Sequence, residues 1–207
     1  MPEPHIIVFL KAPRPGFVKT RLAIDIGDEA ACEAYQRLTE AVLSNLTSLP
    51  HVEIRFTPDD AENEIKNWLR KGWDAKPQGT GDLGMRIHRA FMEADRPAVV
   101  IGSDCPYLKL SDLQTANEAL QTHGLAIGPA ADGGYWLIGL TTPCPALFEG
   151  VHWSTQNVLK ETLAKAKSIN LSPKILRKLT DVDTVEEWEK WSGWRESNSR
   201  YQLGRLE

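Results

Sequence analysis

The chain has 207 residues, a formal net charge of −4 and a pI near 5.8, with 42% hydrophobic and 25% charged residues, which fits one globular domain spanning 1–207. The acidic balance argues against a general nucleic-acid binder, which carries a net basic field, and no stretch reaches the ~20 apolar residues of a membrane-spanning helix. Cys32, Cys105 and Cys144 are far apart with no C-x-x-C pair, and the start "MPEPH" has an early acid and no basic n-region. These features argue against a zinc knuckle, a disulfide framework or a signal peptide, so the expectation is a cytoplasmic protein.

In chain order, "HIIVFL" (5–10) is a continuous apolar run, the pattern of a strand buried on both faces. A basic loop, "KAPRPGFVKTRLA" (11–23), follows; no Asp or Glu occurs between His5 and Ile24. Residues 28–46 are rich in helix formers, with Asp28 placed as N-cap. "VEIRFT" (52–57) alternates like a strand, while 61–71 and 83–94 read as amphipathic helices. "PAVVIGSD" (97–104) is a second buried strand. Residues 109–123 form a helix with Ser111 as cap. "LAIGPA" and "YWLIGLT" flank "ADGG", which predicts two strands joined by a turn or bulge. Residues 154–168 are helical, capped by Ser154 or Thr155, 174–184 form a late strand running into a loop, and 185–194 form a last helix. There Trp188, Trp191 and Trp194 make a core-facing stripe, and 193–207 is a polar, loosely held tail. Alternating strands and helices imply a mostly parallel sheet covered on both faces.

Ligands bind such sheets at the carboxyl ends of the strands, where the basic loop sits. Lys11, Arg14, Lys19 and Arg21 are its cations; Gly16 admits a close ligand, and Pro13 and Pro15 limit the loop's freedom. Phosphate is the matching partner, with Arg able to make two bonds to it; the alternative is a solvated loop. "GTGDLG" (79–84) is a literal G-x-G-x-x-G but no buried strand precedes it, so it is not a dinucleotide fingerprint. Gln78, Gly79, Gly81 and Asp82 suit a backbone packed on a flat group such as a base, or a flexible loop before a helix. Asp104, ending a buried strand, suits a hard cation that bridges phosphates, or a turn cap. Asp132 before Gly133 and Gly134 suits a second metal ligand or a partner for substrate hydroxyls. Tyr135, His152 and Trp153 suit an acceptor pocket. In "DVDT" (181–184) two carboxylates two apart share a side of an extended segment; Asp183 reaches the metal or caps the helix.

"FLKAPRPGFVKTRL", "QGTGDLGMRI", "GSDCPYL", "GPAADGGYWLIGL", "HWST" and "DVDT" together resemble bacterial glycosyltransferase-like proteins of the nucleotide-diphospho-sugar transferase (GT-A) fold, some labelled arsenosugar-biosynthesis glycosyltransferases. More distantly they are similar to molybdenum-cofactor and 2-phospholactate guanylyltransferases. The resemblance spans Ile6 to about Trp188. It implies a three-layer α/β/α sandwich, with Lys11, Lys19 and Arg21 as phosphate loop, Gln78, Gly79 and Gly81 as base-side loop, and Asp104 as the metal aspartate, with Asp132 and Asp183 beside it. The chain departs from the glycosyltransferase D-x-D pattern at Ser103-Asp104-Cys105, and from the glycine-rich opening of guanylyltransferases at "LKAPRPG".

Three functions are therefore expected to compete. The first is a glycosyltransferase using Mg²⁺ or Mn²⁺, a nucleotide sugar and a small-molecule acceptor, with Asp132 and Asp104 catalytic. The second is a nucleotidyltransferase joining a nucleoside triphosphate to a phosphorylated metabolite. The third is a non-catalytic sugar-nucleotide binder. No nucleic-acid or membrane partner is expected, and a homodimer is open to it.

Overall fold

The computed structural model describes residues 4–193. The expectations for the chain's start, for Trp194 and for the tail beyond it lie outside the described residues. The strands are β1 (His5–Lys11), β2 (Val52–Thr57), β3 (Asp74–Pro77), β4 (Ala98–Gly102), β5 (Leu125–Pro129), β6 (Tyr135–Leu140) and β7 (Pro173–Ile175). The helices are α1 (Thr20–Ile26), α2 (Asp28–Ser44), α3 (Glu62–Ile65), α4 (Leu83–Glu93), α5 (Leu110–Thr122) and α6 (Val158–Ser168), followed by α7 over 185–193.

The strands form one sheet in the order β3-β2-β1-β4-β6-β5-β7. All neighbours run parallel except β6, which is antiparallel to both β4 and β5. Alternation of side chains along β1 divides the core into two layers. Ile6, Val8 and Leu10 pack with Tyr35, Val42 and Leu43 of α2 and with Leu113, Ala116 and Leu120 of α5. Ile7 and Phe9 face the other way, onto Ile87, Ala90 and Phe91 of α4 and Ala166 of α6. The result is the expected three-layer α/β/α sandwich with a mostly parallel sheet. No helix among the described residues is long and apolar enough to cross a membrane.

Several local readings need correction. The second half of the basic loop is helical: α1 starts at Thr20, after Lys19 in a left-handed conformation (φ 49°). Asp28 is inside α2, whose N-cap is Gly27. Lys109, not Ser111, caps α5, its backbone N–H donating to Asp112 Oδ2 at 2.7 Å. Neither Ser154 nor Thr155 caps α6; Asn157 holds that place without a side-chain bond. The 61–71 helix is shorter than its periodicity suggested, ending in a 3₁₀ turn at Lys66–Trp68.

β2 is buried along both faces despite its alternation. Its two charged residues stay inside because they pair: Arg55 bonds Glu53 and, at 2.7 Å, Glu93, while Lys76 Nζ lies 2.8 Å from Glu53. A buried charge is tolerated only with such partners. In α7, Trp191 is buried and lies 5.4 Å from the Trp188 ring, as the stripe predicts for those two residues.

Candidate active site

The sheet's order reverses at β1, whose neighbours β2 and β4 follow it on opposite sides, and a crevice opens at the carboxyl ends of strands at such a point. Because β6 runs backwards, the β5–β6 turn arrives at the same end. The resulting cleft holds about 960 Å³, at the upper end of the ~300–1,000 Å³ typical of ligand pockets.

Twelve of the residues singled out in the sequence line this cleft: Lys11, Lys19, Arg21, Gln78, Gly81, Asp82, Asp104, Asp132, Gly134, Tyr135, Trp153 and Asp183. Five do not. Arg14 faces away, bonded to Glu64 at 2.5 Å and Asp60 at 3.2 Å, so the loop is not a purely basic surface. Gly16 sits in the turn beside Asp28. Gly79 lies behind the rim, against the Arg89 guanidinium. His152 is turned outward and held by Glu161. Gly133 acts from behind, as described below.

The end of β1 is fixed by Tyr35, whose hydroxyl accepts the Lys11 N–H at 2.8 Å and donates to the Lys11 carbonyl at 3.0 Å. Burial pushes this phenol up to about 12, so it stays neutral. Gln78 is a brace: its amide donates to the Leu10 and Arg55 carbonyls, both at 3.0 Å. Asp82 caps α4, accepting the Met85 N–H at 2.8 Å, which explains a carboxylate at this rim.

Lys19 is not a loose phosphate ligand. Its side chain is 3% exposed, and its ammonium lies 2.6 Å from Asp104 and 2.7 Å from Asp183. Burial pulls its proton affinity down, and the two carboxylates outweigh burial and hold it above the ordinary lysine value. The Lys19 ammonium thus bridges Asp104 and Asp183. Among the described residues no group of three or more His, Cys, Asp or Glu side chains is arranged to hold a metal ion. Asp104 nevertheless keeps 49% of its side chain exposed to the cleft, and Arg21 is 71% exposed with its guanidinium 3.9 Å from Asp183. Asp183 does not cap α7: Glu187 accepts the Asp183 and Thr184 N–H groups at 2.8 and 3.0 Å, and Thr184 accepts that of Glu187, a capping box read directly from T-V-E-E.

Three contributors were missed. Arg86 lines the cleft, turned toward Thr57 and Gln78; nothing in the sequence separated it from other α4 cations. At the rim, Ser154 and Thr155 were read only as cap candidates, and Gln156 was not singled out. Asp181, the first half of "DVDT", also enters the cleft and accepts the Cys105 thiol at 2.5 Å. Burial, then the charges of Asp132, Asp104 and Asp183, push its carboxyl up to about 7. The folded state therefore keeps a proton there that the unfolded chain loses near pH 4, and this group lowers stability as pH rises from about 4 to about 7. Asp181→Asn, melted in chelator, is expected to raise Tm by about 2–6 °C at pH 8 and to leave it unchanged at pH 4. An equal effect at both pH values would remove the charge argument.

Two close approaches build the far wall. A Cβ on Gly84 would stand 2.5 Å from the Trp153 ring, and one on Gly133 would stand 2.2 Å from the Gln156 carbonyl. The third glycine of "GTGDLG" is therefore a seat for an indole. Gly84→Ala is expected to cost about 1–3 kcal/mol by overpacking, read as a lower Tm with a shifted tryptophan emission; unchanged emission would contradict the seat.

This sheet order, with Lys19 held between Asp104 and Asp183 at its switch point, defines a domain of the nucleotide-diphospho-sugar transferase (GT-A) fold. The chain belongs to the family described as "uncharacterized protein conserved in bacteria (DUF2064)", whose model matches residues 42–155. It is 36% identical to a crystal structure from Desulfovibrio desulfuricans G20, provisionally named a nucleotide-diphospho-sugar transferase, with TM-score 0.81, covering 89% of this chain and 84% of that one. It shares its fold with 4-diphosphocytidyl-2C-methyl-D-erythritol synthase from Anaerococcus prevotii DSM 20548, at 9% identity and TM-score 0.62 over 94% and 100% of the two chains. The fold also recurs in Rv0371c from Mycobacterium tuberculosis in complex with manganese, at 13% identity and TM-score 0.51 over 90% and 97%. No curated protein matches the chain, and none of these matches names an arsenosugar substrate.

Proposed function

We propose that the protein is a cytoplasmic, metal-dependent glycosyltransferase that moves a sugar from a nucleoside-diphosphate sugar to a small acceptor. The observation that carries this reading is the division of one cleft into two halves. Lys11, Lys19, Arg21 and Arg86 come from β1, the loop after it, α1 and α4, and among the described residues the lining contributed by the β5–β6 turn and residues 153–156 holds no cation. Diphosphate belongs with the cations. The relative from Desulfovibrio desulfuricans supports a donor of that kind through its name.

Mg²⁺ or Mn²⁺ fits the donors present, because a hard cation takes one or two carboxylates and completes its shell with phosphates and water. Asp104 would hold it, with Asp183 available only if Lys19 shifts. When bound, the cation supplies screening of the diphosphate charge as that group leaves. Arg21 and Lys11 bind the phosphates, and Lys19 fixes the Asp104 carboxylate. Asp132 is oriented by its Oδ1, which accepts the Gly134 N–H at 2.8 Å. It takes the acceptor's hydroxyl proton while the acceptor oxygen bonds the sugar carbon and the bond from that carbon to the diphosphate oxygen breaks.

The test incubates the protein with Mg²⁺ or Mn²⁺, a metabolite extract, and separate pools of nucleotide sugars and nucleoside triphosphates. Metal-dependent release of nucleoside diphosphate from the sugar pool is expected. Pyrophosphate from the triphosphate pool would replace this reading with nucleotidyl transfer, and silence in both pools would leave a binder without catalysis.

A further inference from the structure

The far half of the cleft has a chemistry of its own. Its wall is a short loop clamped at two points. Trp153 lies in the space left by Gly84, and the Gln156 backbone lies against Gly133, whose carbonyl accepts the Leu159 N–H at 2.9 Å. Inside the loop, Thr155 Oγ1 donates to the His152 carbonyl at 2.7 Å, and Ser154 is held at φ 62°. A non-glycine residue in that region costs free energy, and such strain persists where surrounding contacts over-determine it. The Trp153 ring meets Tyr135 edge-on at 6.5 Å. The wall is thus preformed before any ligand arrives.

Its charge is equally definite. Side-chain hydroxyls and an amide stand at the rim on Ser154, Thr155 and Gln156, aromatic rings behind them, and Asp132 beside them. Three neighbouring charged or titratable side chains, His152, Glu161 and Arg177, are engaged away from the cleft. His152 Nδ1 lies 3.1 Å from Glu161 on the outer side. Glu161 sits in the first turn of α6, where it meets the positive end of the helix. Arg177, the cation nearest Trp136 in the hydrogen-bond network, forks onto Asp112 and the Tyr107 carbonyl. Among the described residues, a phosphorylated molecule placed here would meet Asp132 with no lining cation from the β5–β6 turn or residues 153–156 to answer it, whereas hydroxyl groups find both donors and an acceptor.

Resting on the transferase reading above, we infer that the acceptor is an uncharged, hydroxyl-bearing molecule of sugar or polyol type, and that the 153–156 loop with Asp132 rejects its phosphorylated counterparts. Specificity of this kind comes as much from the missing counter-charge as from the contacts made.

The experiment splits a bacterial metabolite extract on an anion exchanger into unretained and retained fractions. Each is added to the protein with Mg²⁺ and the nucleotide-sugar pool, and released nucleoside diphosphate is quantified. Binding of nucleoside diphosphate alone is measured in parallel. The unretained fraction is expected to raise release about tenfold or more over the retained one. Gln156→Arg, which brings a cation into this half, is expected to cut the unretained fraction's effect about tenfold and to leave nucleoside diphosphate affinity unchanged. Equal or greater stimulation by the retained fraction overturns the inference. So does silence from both fractions in a protein that still binds nucleoside diphosphate. Absence of that binding strikes the transferase reading itself, and the inference falls with it.

Discussion

Lys19→Met is expected to lower Tm by about 2–12 °C, and the loss is expected to shrink when millimolar Mg²⁺ or Mn²⁺ is added. The ammonium is buried between Asp104 and Asp183 at 2.6 and 2.7 Å. Removing one member of a buried ion pair typically costs about 3–5 kcal/mol, because the partner stays unpaired. Here the partners keep 49% and 32% of their side chains exposed, so solvent screens them and the loss falls nearer 1–3 kcal/mol. At about 2–4 °C per kcal/mol for a chain of this size, that gives the stated range. The variant leaves two carboxylates facing a gap of ammonium size, which a divalent cation can bridge. A loss of stability that added metal does not change would show that the gap binds no cation.

Asp104→Asn is expected to lower metal-dependent turnover about 100- to 1,000-fold, the usual range for removing one group that stabilises developing charge. The side chain keeps its shape, and Tm separates folding from chemistry. Binding of the acceptor alone should be unaffected, because Asp132 and the 153–156 loop form a different part of the lining. Turnover within a factor of about three of wild type would remove Asp104 from the reaction.

Much of this was legible before any coordinates. "HIIVFL" and "AVVIG" are the buried parallel strands β1 and β4, since only a strand covered on both faces has a continuous apolar run. "ADGG" is the turn between β5 and β6. The tendency of such sheets to bind ligands at the carboxyl ends of their strands then put Lys11, Asp104 and Asp132 at one mouth. What stayed hidden depends on contacts between distant residues. Nothing local tells that Lys19 is claimed by Asp104 and Asp183, or that Arg14 is claimed by Glu64. Glu53 and Arg55 look solvent-facing by alternation, and their mutual pair together with Lys76 and Glu93 makes their burial tolerable. The glycines of "GTGDLG" left a flat group or a flexible loop open because glycine spacing does not say what approaches, and at Gly84 it is the Trp153 indole.

On the proposed function, Arg21 and a divalent cation held by Asp104 together grip a diphosphate in this cleft. Calorimetric titration of nucleoside diphosphates into the wild-type protein, with Mg²⁺ and then with chelator, tests it most directly. Arg21→Ala and Asp104→Asn are titrated alongside. The account predicts binding that requires Mg²⁺, weakens about tenfold or more in Arg21→Ala, and disappears in Asp104→Asn. Equal affinity in chelator, or affinity untouched by both substitutions, would contradict it.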